Sequence, residues 1–243
     1  MQTSKVKGKI MDDNIGGITP KGLAITPVAR ASYAFILEPR PADEDETEKD
    51  RKYGVSLIFE KSADLKPLMK VLIKAAQNKW GDAGNMPPKL VEFLKAGKSP
   101  VDSRVGYPIH SGDEKDGEEY HGKMFFNCSS YMKPKFVEKI NGKTIEITDP
   151  EKARSGNYVR CSVKAKAYEY KGAKGVRFEL VNVMFIRIGD PLGSGSDPED
   201  DFSEYGDSEQ TDPMTTADFG LEDDDIPFDK PGQAETLDES LFD

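Results

Sequence analysis

The sequence of 243 residues contains only two cysteines and two histidines, and these four residues show no spacing typical of a metal site. Cys128 and Cys161 both lie in apolar patterns typical of strands, so we expect buried free thiols. His110 and His121 have no cysteine or histidine companions at zinc-site spacing. We therefore expect no metal, no other cofactor and no catalytic site built on histidine.

Long apolar runs are also missing. No run approaches the ~20 residues that a membrane-spanning helix needs, and residues 1–10 are polar and lysine-rich, unlike a secretory signal. Residues 1–28 contain several glycines but no G-x-G-x-x-G or G-K-[ST] phosphate loop, and the sequence has no G-x-S-x-G nucleophile motif. We expect a cytoplasmic protein that is not an enzyme.

Basic residues are almost absent from the end of the chain. Residues 191–243 contain 18 aspartates and glutamates against one cation, Lys230. Residues 1–190 hold 33 lysines and arginines against 26 acids, a net charge of +7, although the whole chain carries −10. The last segment has too little aliphatic content to bury a core. We predict a basic globular domain over 1–190, suited to nucleic acid, and a disordered acidic tail over 191–243.

Alternating apolar residues predict that the domain is rich in β-structure. An apolar stripe at helical spacing from Leu65 to Ala76 predicts one amphipathic helix, and 88–95 predicts a shorter one. Alternation and turn signals predict strands over 30–37, 51–60, 121–131, 136–140 and 143–147, the last two joined by Asn141-Gly142. This tally favours a mainly β fold, a small barrel.

The longest pattern is a predicted hairpin from Asn157 to Ile188. One face of its first strand is apolar, and the other carries cations and aromatic rings. Cations meet phosphates and rings stack on any base, so such a face is typical of proteins that bind single-stranded nucleic acid. The alternative is that lysine and tyrosine only provide solubility and strand propensity. The predicted contacts are Tyr158, Arg160, Lys164, Lys166, Tyr168, Tyr170, Lys171, Lys174 and Arg177.

Four residues on other strands complete the candidate interface. Lys123 and Phe125 lie on a strand whose two faces both carry aromatic residues, so the pattern does not decide which face is buried. Tyr33 and Tyr53 are the candidates if DNA lies on a different face of the barrel.

The tail contains a short motif of unusual composition. Leu221 to Phe228 reads Leu-Glu-Asp-Asp-Asp-Ile-Pro-Phe, and the chain ends Asp-Glu-Ser-Leu-Phe-Asp. An acidic run ending in Ile-Pro-Phe resembles the tip of bacterial single-stranded-DNA-binding proteins, through which those proteins recruit replication and repair enzymes. In that family the phenylalanine ends the chain, whereas 15 residues follow Phe228 here. The resemblance implies partner binding by Asp223, Asp224, Asp225, Ile226, Pro227 and Phe228, or by Leu241 and Phe242.

The order of elements resembles that of phage single-stranded-DNA-binding proteins. The strand Lys123-Met124-Phe125-Phe126-Asn127-Cys128, the 158–188 hairpin and the acidic tail carry this resemblance. It implies an OB-fold-like antiparallel barrel with an inserted helix. It also implies a protein that coats single-stranded DNA during phage replication, recombination and repair, in the cytoplasm of an infected bacterium. The tail would compete for the DNA groove and recruit replication proteins.

Two other functions stay open at this point. The first is a metal-dependent nuclease or nucleotide-processing enzyme whose acidic loops hold magnesium. The second is an acidic DNA mimic or chaperone, in which the tail is the active part. An acidic tail that serves only solubility is a further alternative for that segment. The sequence alone determines neither the oligomeric state nor the length of DNA that is bound.

Overall fold

The computed structural model describes residues 12–42, 47–96, 106–170 and 172–192. These residues belong to one compact unit, Met1–Gly193. Lys171 and the candidate partner-binding residues of the tail lie outside the described residues. No helix in the described ranges is long and apolar enough to cross a membrane.

The described residues form ten strands and three α-helices. The strands are β1 (Gly17–Ile18), β2 (Ala24–Ile25), β3 (Ala29–Phe35), β4 (Tyr53–Phe59), β5 (His110–Ser111), β6 (Met124–Ser130), β7 (Lys135–Ile140), β8 (Lys143–Glu146), β9 (Tyr158–Tyr170) and β10 (Ala173–Arg187). The helices are α1 (Lys66–Trp80), α2 (Pro88–Ala96) and α3 (Pro150–Ala153).

Five of these strands close into a barrel. β3 pairs with β4, β4 with β6, β6 with β10, β10 with β9, and β9 returns to β3. All these pairs are antiparallel except β6–β10, which is parallel. A closed, five-stranded barrel is the architecture of the OB-fold. The prediction of a mainly β, OB-fold-like barrel with an inserted helix is confirmed.

The barrel core comes from alternate residues of these strands. Val55, Leu57 and Phe59 of β4 are buried in it, and the Phe59 and Phe126 rings stack with centroids 5.3 Å apart. The apolar stripe of α1 packs against the same core. Both cysteines are buried free thiols, as expected. The hydrogen bond with Cys161, together with burial, raises the pKa of Cys128.

Two hairpins extend the barrel sheet. β1 and β2 form one hairpin, which pairs with β9 through β2. β7 and β8 form the other on β10, with Asn141 and Gly142 at φ of 50° and 81° in the turn. Positive φ at both positions is what a type I′ hairpin turn requires, which explains the Asn-Gly signal.

Candidate nucleic-acid interface

One row of residues crosses all five barrel strands on the outer side. Phe35 of β3 lies opposite Gly54 of β4, which lies opposite Ser129 of β6. Ser129 lies opposite Glu179 of β10, which lies opposite Lys164 of β9. Paired residues point to the same side of a sheet. This row therefore defines one continuous outer face, which joins β3, β4 and β6 to the β9–β10 hairpin.

A groove of about 420 Å³ lies where β3, β4 and β6 form the outer face. Its floor consists of short side chains, namely Gly54, Ser56, Asn127 and Ser129. Aromatic rings and cations surround the floor, namely Tyr33, Phe35, Tyr53, Arg40, Lys52 and Lys115. Short side chains leave space above the sheet, rings offer stacking surfaces and cations attract phosphates. This combination suits single-stranded nucleic acid.

An irregularity in β3 directs Tyr33 to the groove. The pairing of β3 with β4 shifts register between Ser32 and Phe35, and Tyr33 has a φ of 47°. A bulge of this kind changes the direction of a side chain. A positive φ on a bulky residue costs about 1–3 kcal/mol and is typical of functional sites. Tyr33 is 63% exposed, so its ring is accessible to a ligand in the groove.

Lys115 lies at one end of the groove among aromatic rings. Its ammonium is 3.9 Å from the centroid of the Tyr120 ring, 5.0 Å from that of Phe125 and 5.3 Å from that of Tyr33. Such cation–π contacts hold the charge beside the groove. The sequence shows only an acidic, glycine-containing loop around Lys115, so this residue was not among the predicted contacts.

Backbone hydrogen bonds hold the opposite end of the groove in place. The Arg51 guanidinium donates to the carbonyl oxygens of Arg40 (2.9 Å) and Pro39 (3.2 Å), and the Arg40 N–H donates to the Lys52 carbonyl (2.9 Å). Lys52 also lies 4.7 Å from the centroid of the Tyr131 ring. These bonds fix two groove cations, Arg40 and Lys52, which the sequence analysis missed.

The β9–β10 hairpin supplies the rest of the outer face. Lys166 lies opposite Arg177 and forms an ion pair with Glu179 at 2.6 Å. Tyr168 faces the same side and is half-buried beside Gly106. Tyr170, near the hairpin tip, is 66% exposed. The alternation read from the sequence therefore brings five predicted contacts to the outer face: Lys164, Lys166, Tyr168, Tyr170 and Arg177.

The expectation that Arg160 faces solvent is wrong. Arg160 is only 6% exposed, because residues 12–26 cover this part of β9. Its guanidinium donates to the carbonyl oxygens of Ile15 (2.6 Å), Thr26 (3.1 Å) and Asp12 (3.2 Å), and burial lowers its pKa. Arg160 thus holds the N-terminal segment against the barrel.

Phe125 is also not available for stacking. It points to the outer side but is buried in a small cluster with Ile58 and Tyr120, against which Leu192 packs. The Tyr120 and Phe125 rings meet edge to face with centroids 5.2 Å apart. The residues between β5 and β6 cover this part of the outer side, which no alternation pattern can reveal.

Three other predicted contacts are engaged elsewhere. Lys174 lies opposite Glu169 on the side away from the outer face and pairs with it at 3.7 Å, and the Trp80 indole donates to the same carboxylate. The Arg187 guanidinium covers the Tyr158 ring at 3.8 Å from its centroid. Lys123 is half-buried and pairs with Glu60 at 3.4 Å.

The acidic loops bring no metal-binding group together within the described ranges. No three histidine, cysteine, aspartate or glutamate side chains there are close enough to hold an ion. Asp113 instead accepts hydrogen bonds from the Gly122 N–H (2.5 Å) and the Ser111 hydroxyl (3.3 Å), and the bond from Gly122 lowers its pKa most. Its carboxylate therefore orders the loop before β6.

Comparison with known proteins identifies similar chains. Residues 23–213 match the family model of the single-stranded-DNA-binding protein of Enterobacter phage Enc34. The solved structure of that phage protein in complex with single-stranded DNA is 17% identical, with a TM-score of 0.55, and the match covers 79% of this chain and all of the other. Its C-terminally truncated form is 16% identical, with a TM-score of 0.55, over 75% of this chain and 94% of the other. At these identities the structures show a shared fold.

A relative in another phage matches by sequence. Protein p50 of Acyrthosiphon pisum secondary endosymbiont phage 1 is 27% identical over 146 residues, which span 59% of this chain and 73% of that protein.

Proposed function

The chain belongs to the family of the single-stranded-DNA-binding protein of Enterobacter phage Enc34, and we propose that it binds single-stranded DNA through the groove and the outer face. The observation that carries this proposal is the groove itself, where aromatic rings and cations surround a floor of short side chains, namely Tyr33, Phe35, Tyr53, Arg40, Lys52 and Lys115. Bases stack on the rings, and phosphates lie against the cations. The protein coats and protects DNA and catalyses no reaction.

The composition of the groove favours weak sequence preference. Every base has a flat face that can stack on tyrosine or phenylalanine, so binding through rings and charges tolerates any sequence. The relatives are phage proteins. We therefore place the activity in phage replication, recombination and repair, within the cytoplasm of an infected bacterium.

Salt dependence tests the electrostatic part of the proposal. The full chain is titrated with fluorescent oligo-dT at several salt concentrations. Each phosphate contact releases condensed counterions, so the logarithm of affinity falls with log salt at a slope of about −0.7 per contact. The three groove cations predict a slope of about −2 or steeper. A slope near zero would contradict the proposal.

Tyr33→Ala tests the stacking part. Loss of one stacked ring costs about 1–3 kcal/mol of binding, or roughly 5- to 160-fold in affinity. The matched control is Tyr158→Ala, because the Tyr158 ring lies under Arg187 and outside the groove. Equal DNA affinities for these two variants would exclude Tyr33 from the interface.

We further propose that the acidic tail, residues 191–243, competes for the groove and recruits partner proteins. A flexible segment of this length has a root-mean-square reach of roughly 40 Å, enough to bring its carboxylates back over a small barrel. DNA would release the tail and free Ile226, Pro227 and Phe228, or Leu241 and Phe242, to bind an apolar pocket ringed by cations on a replication protein. Phe228→Ala and Phe242→Ala, compared in a pull-down with host replication proteins, identify the working tip. Capture that is unchanged in both variants would contradict recruitment through these residues.

A further inference from the structure

A second cavity, of about 590 Å³, lies beyond the end of β6. The chain leaves β6 at Ser130 and enters β7 at Lys135, and β10 forms the opposite wall. The residues that decide its chemistry are Tyr131, Met132, Lys133, Lys135, Lys166 and Glu179. Neither alternation nor motif analysis singles out this short connection.

The wall of the second cavity carries exposed apolar groups beside cations. Tyr131 is 59% exposed and Met132 is 80% exposed. A flat ring and a flexible thioether in this setting are suited to contact a ligand with an aromatic face. Lys133 is exposed and forms no ion pair with any residue that the structure describes.

The ion pairs of the second cavity leave a net positive charge. The Glu179 carboxylate is already paired with Lys166 at 2.6 Å. Lys135 is paired with Glu146 at 3.6 Å, and both of these side chains are largely exposed. Exposed pairs of this kind contribute little stability, so Lys135 can exchange its carboxylate for a phosphate. Lys133 and Lys135 are therefore available to an anionic ligand.

The second cavity adjoins the groove. Ser129 lines the groove and the next residue, Ser130, lines the second cavity. Lys52, a groove cation, lies 4.7 Å from the centroid of the Tyr131 ring at the border between the two. A single strand of DNA bound in the groove therefore contacts Tyr131 where it leaves the groove beside Lys52.

We propose that the second cavity binds the next nucleotides of the same single strand, with Tyr131 stacking on a base and with Lys133 and Lys135 contacting phosphates. The proposal rests on the proposed function, because the strand must first occupy the groove. Continuity with the groove and the exposed ring favour nucleic acid over the other anionic candidate, the acidic tail. The length of DNA covered by one protein molecule then exceeds what the groove alone holds.

Oligonucleotides of two lengths distinguish binding in the groove alone from binding that also occupies the second cavity. OB-fold proteins cover about 4–16 nucleotides per domain, so oligo-dT of about 4 and about 16 nucleotides is titrated against the full chain. We expect the double variant Lys133→Ala/Lys135→Ala to bind the short oligonucleotide like the parent. We expect the same variant to lose about fivefold or more in affinity for the long one and to flatten its salt slope by about 1.4. Tyr131→Ala should weaken binding of the long oligonucleotide, and Tyr131→Phe should restore it.

The matched control is Lys139→Ala/Lys143→Ala, which removes the same charge from exposed positions on β7 and β8 outside the second cavity. Melting curves verify that all variants are folded. Unchanged affinity for the long oligonucleotide, or an equal loss for both lengths, overturns the proposal. Tighter DNA binding by Lys133→Ala/Lys135→Ala would also overturn the proposal, because it would indicate that the acidic tail, rather than DNA, binds in the second cavity. Failure of the parent to bind either length would instead contradict the proposed function.

Discussion

Arg160→Ala separates a structural role for this arginine from the DNA contact that the sequence predicts. The side chain makes three hydrogen bonds to backbone carbonyls of residues 12–26. The bond to Thr26 is buried, and those to Ile15 and Asp12 are partly exposed. A hydrogen bond from a charged donor contributes about 1.5–3 kcal/mol when water cannot replace it, and less where water can.

The expected loss in the free energy of unfolding is therefore about 2–4 kcal/mol, dominated by the buried bond to Thr26. For a domain of this size each kcal/mol lowers the melting temperature by about 2–4 °C, which predicts a fall of about 5–15 °C. Hydrogen exchange should increase first in residues 12–26, which the guanidinium holds. Oligo-dT affinity below the melting temperature should stay within about twofold of the parent, since residues 12–26 cover the Arg160 side chain and keep it from DNA.

The matched variant is Arg177→Ala, because Arg177 is exposed on the outer face. A surface substitution changes stability by about 0.5 kcal/mol or less, so this variant should melt like the parent and bind oligo-dT more weakly. The two arginines thus predict opposite outcomes in the same two assays. If Arg160→Ala melts like the parent and loses DNA affinity, the structural role assigned to Arg160 is wrong.

Three further predictions follow from the groove, the core and the tail. Gly54→Val places a branched side chain over the groove floor, where even a Cβ lies 3.2 Å from the Cys128 carbonyl oxygen; oligo-dT affinity measured by anisotropy should fall at least about fivefold, as expected for loss of one stacked base. Cys128 and Cys161 are buried, so a thiol reagent should label neither residue in the folded protein and both after denaturation; rapid labelling of the native state would contradict the buried core. A chain truncated after Gly193 retains the packing of Leu192. It should bind oligo-dT more tightly than the full chain at low salt and equally at high salt, because screening over about 10 Å at 0.1 M weakens the attraction between the tail and the groove. Equal affinities at all salt concentrations would mean that the tail serves only solubility.

Local patterns were sufficient to predict most of the barrel. Alternation identifies β3, β4, β6, β9 and β10, and the Asn-Gly pair identifies the β7–β8 turn, because each signal arises within a few consecutive residues. The strands β1, β2 and β5 were missed because each has only two residues, too few to produce such a signal. A strand of two residues has no period to detect, and it exists only because a longer neighbour offers hydrogen-bonding groups.

The candidate site was less predictable, because its geometry depends on which elements cover which faces. Arg160 and Lys164 share one side of β9, yet the N-terminal segment covers the first and leaves the second exposed. Likewise Lys115 contributes to the groove only because the connection between β5 and β6 brings its ammonium to 5.3 Å from the centroid of the Tyr33 ring. Contacts of this kind join residues 82 positions apart for Lys115 and Tyr33 and 145 positions apart for Arg160 and Ile15, and such contacts leave no signal in a single sequence.

The outer face and the tail carry opposite charges. This difference links the proposal that DNA binds along the groove and the second cavity to the proposal that the tail competes with DNA. Lys52, Lys115 and Lys133 lie along one path on a domain with a net charge of +7, whereas the tail carries −17. A tethered segment acts at an effective concentration on the order of millimolar, so weak attraction suffices for it to occupy that path. Single-stranded DNA adds base stacking on Tyr33 and Tyr131, which acidic side chains cannot provide. DNA should therefore displace the tail through the rings, and salt should weaken the tail contact more than the DNA contact.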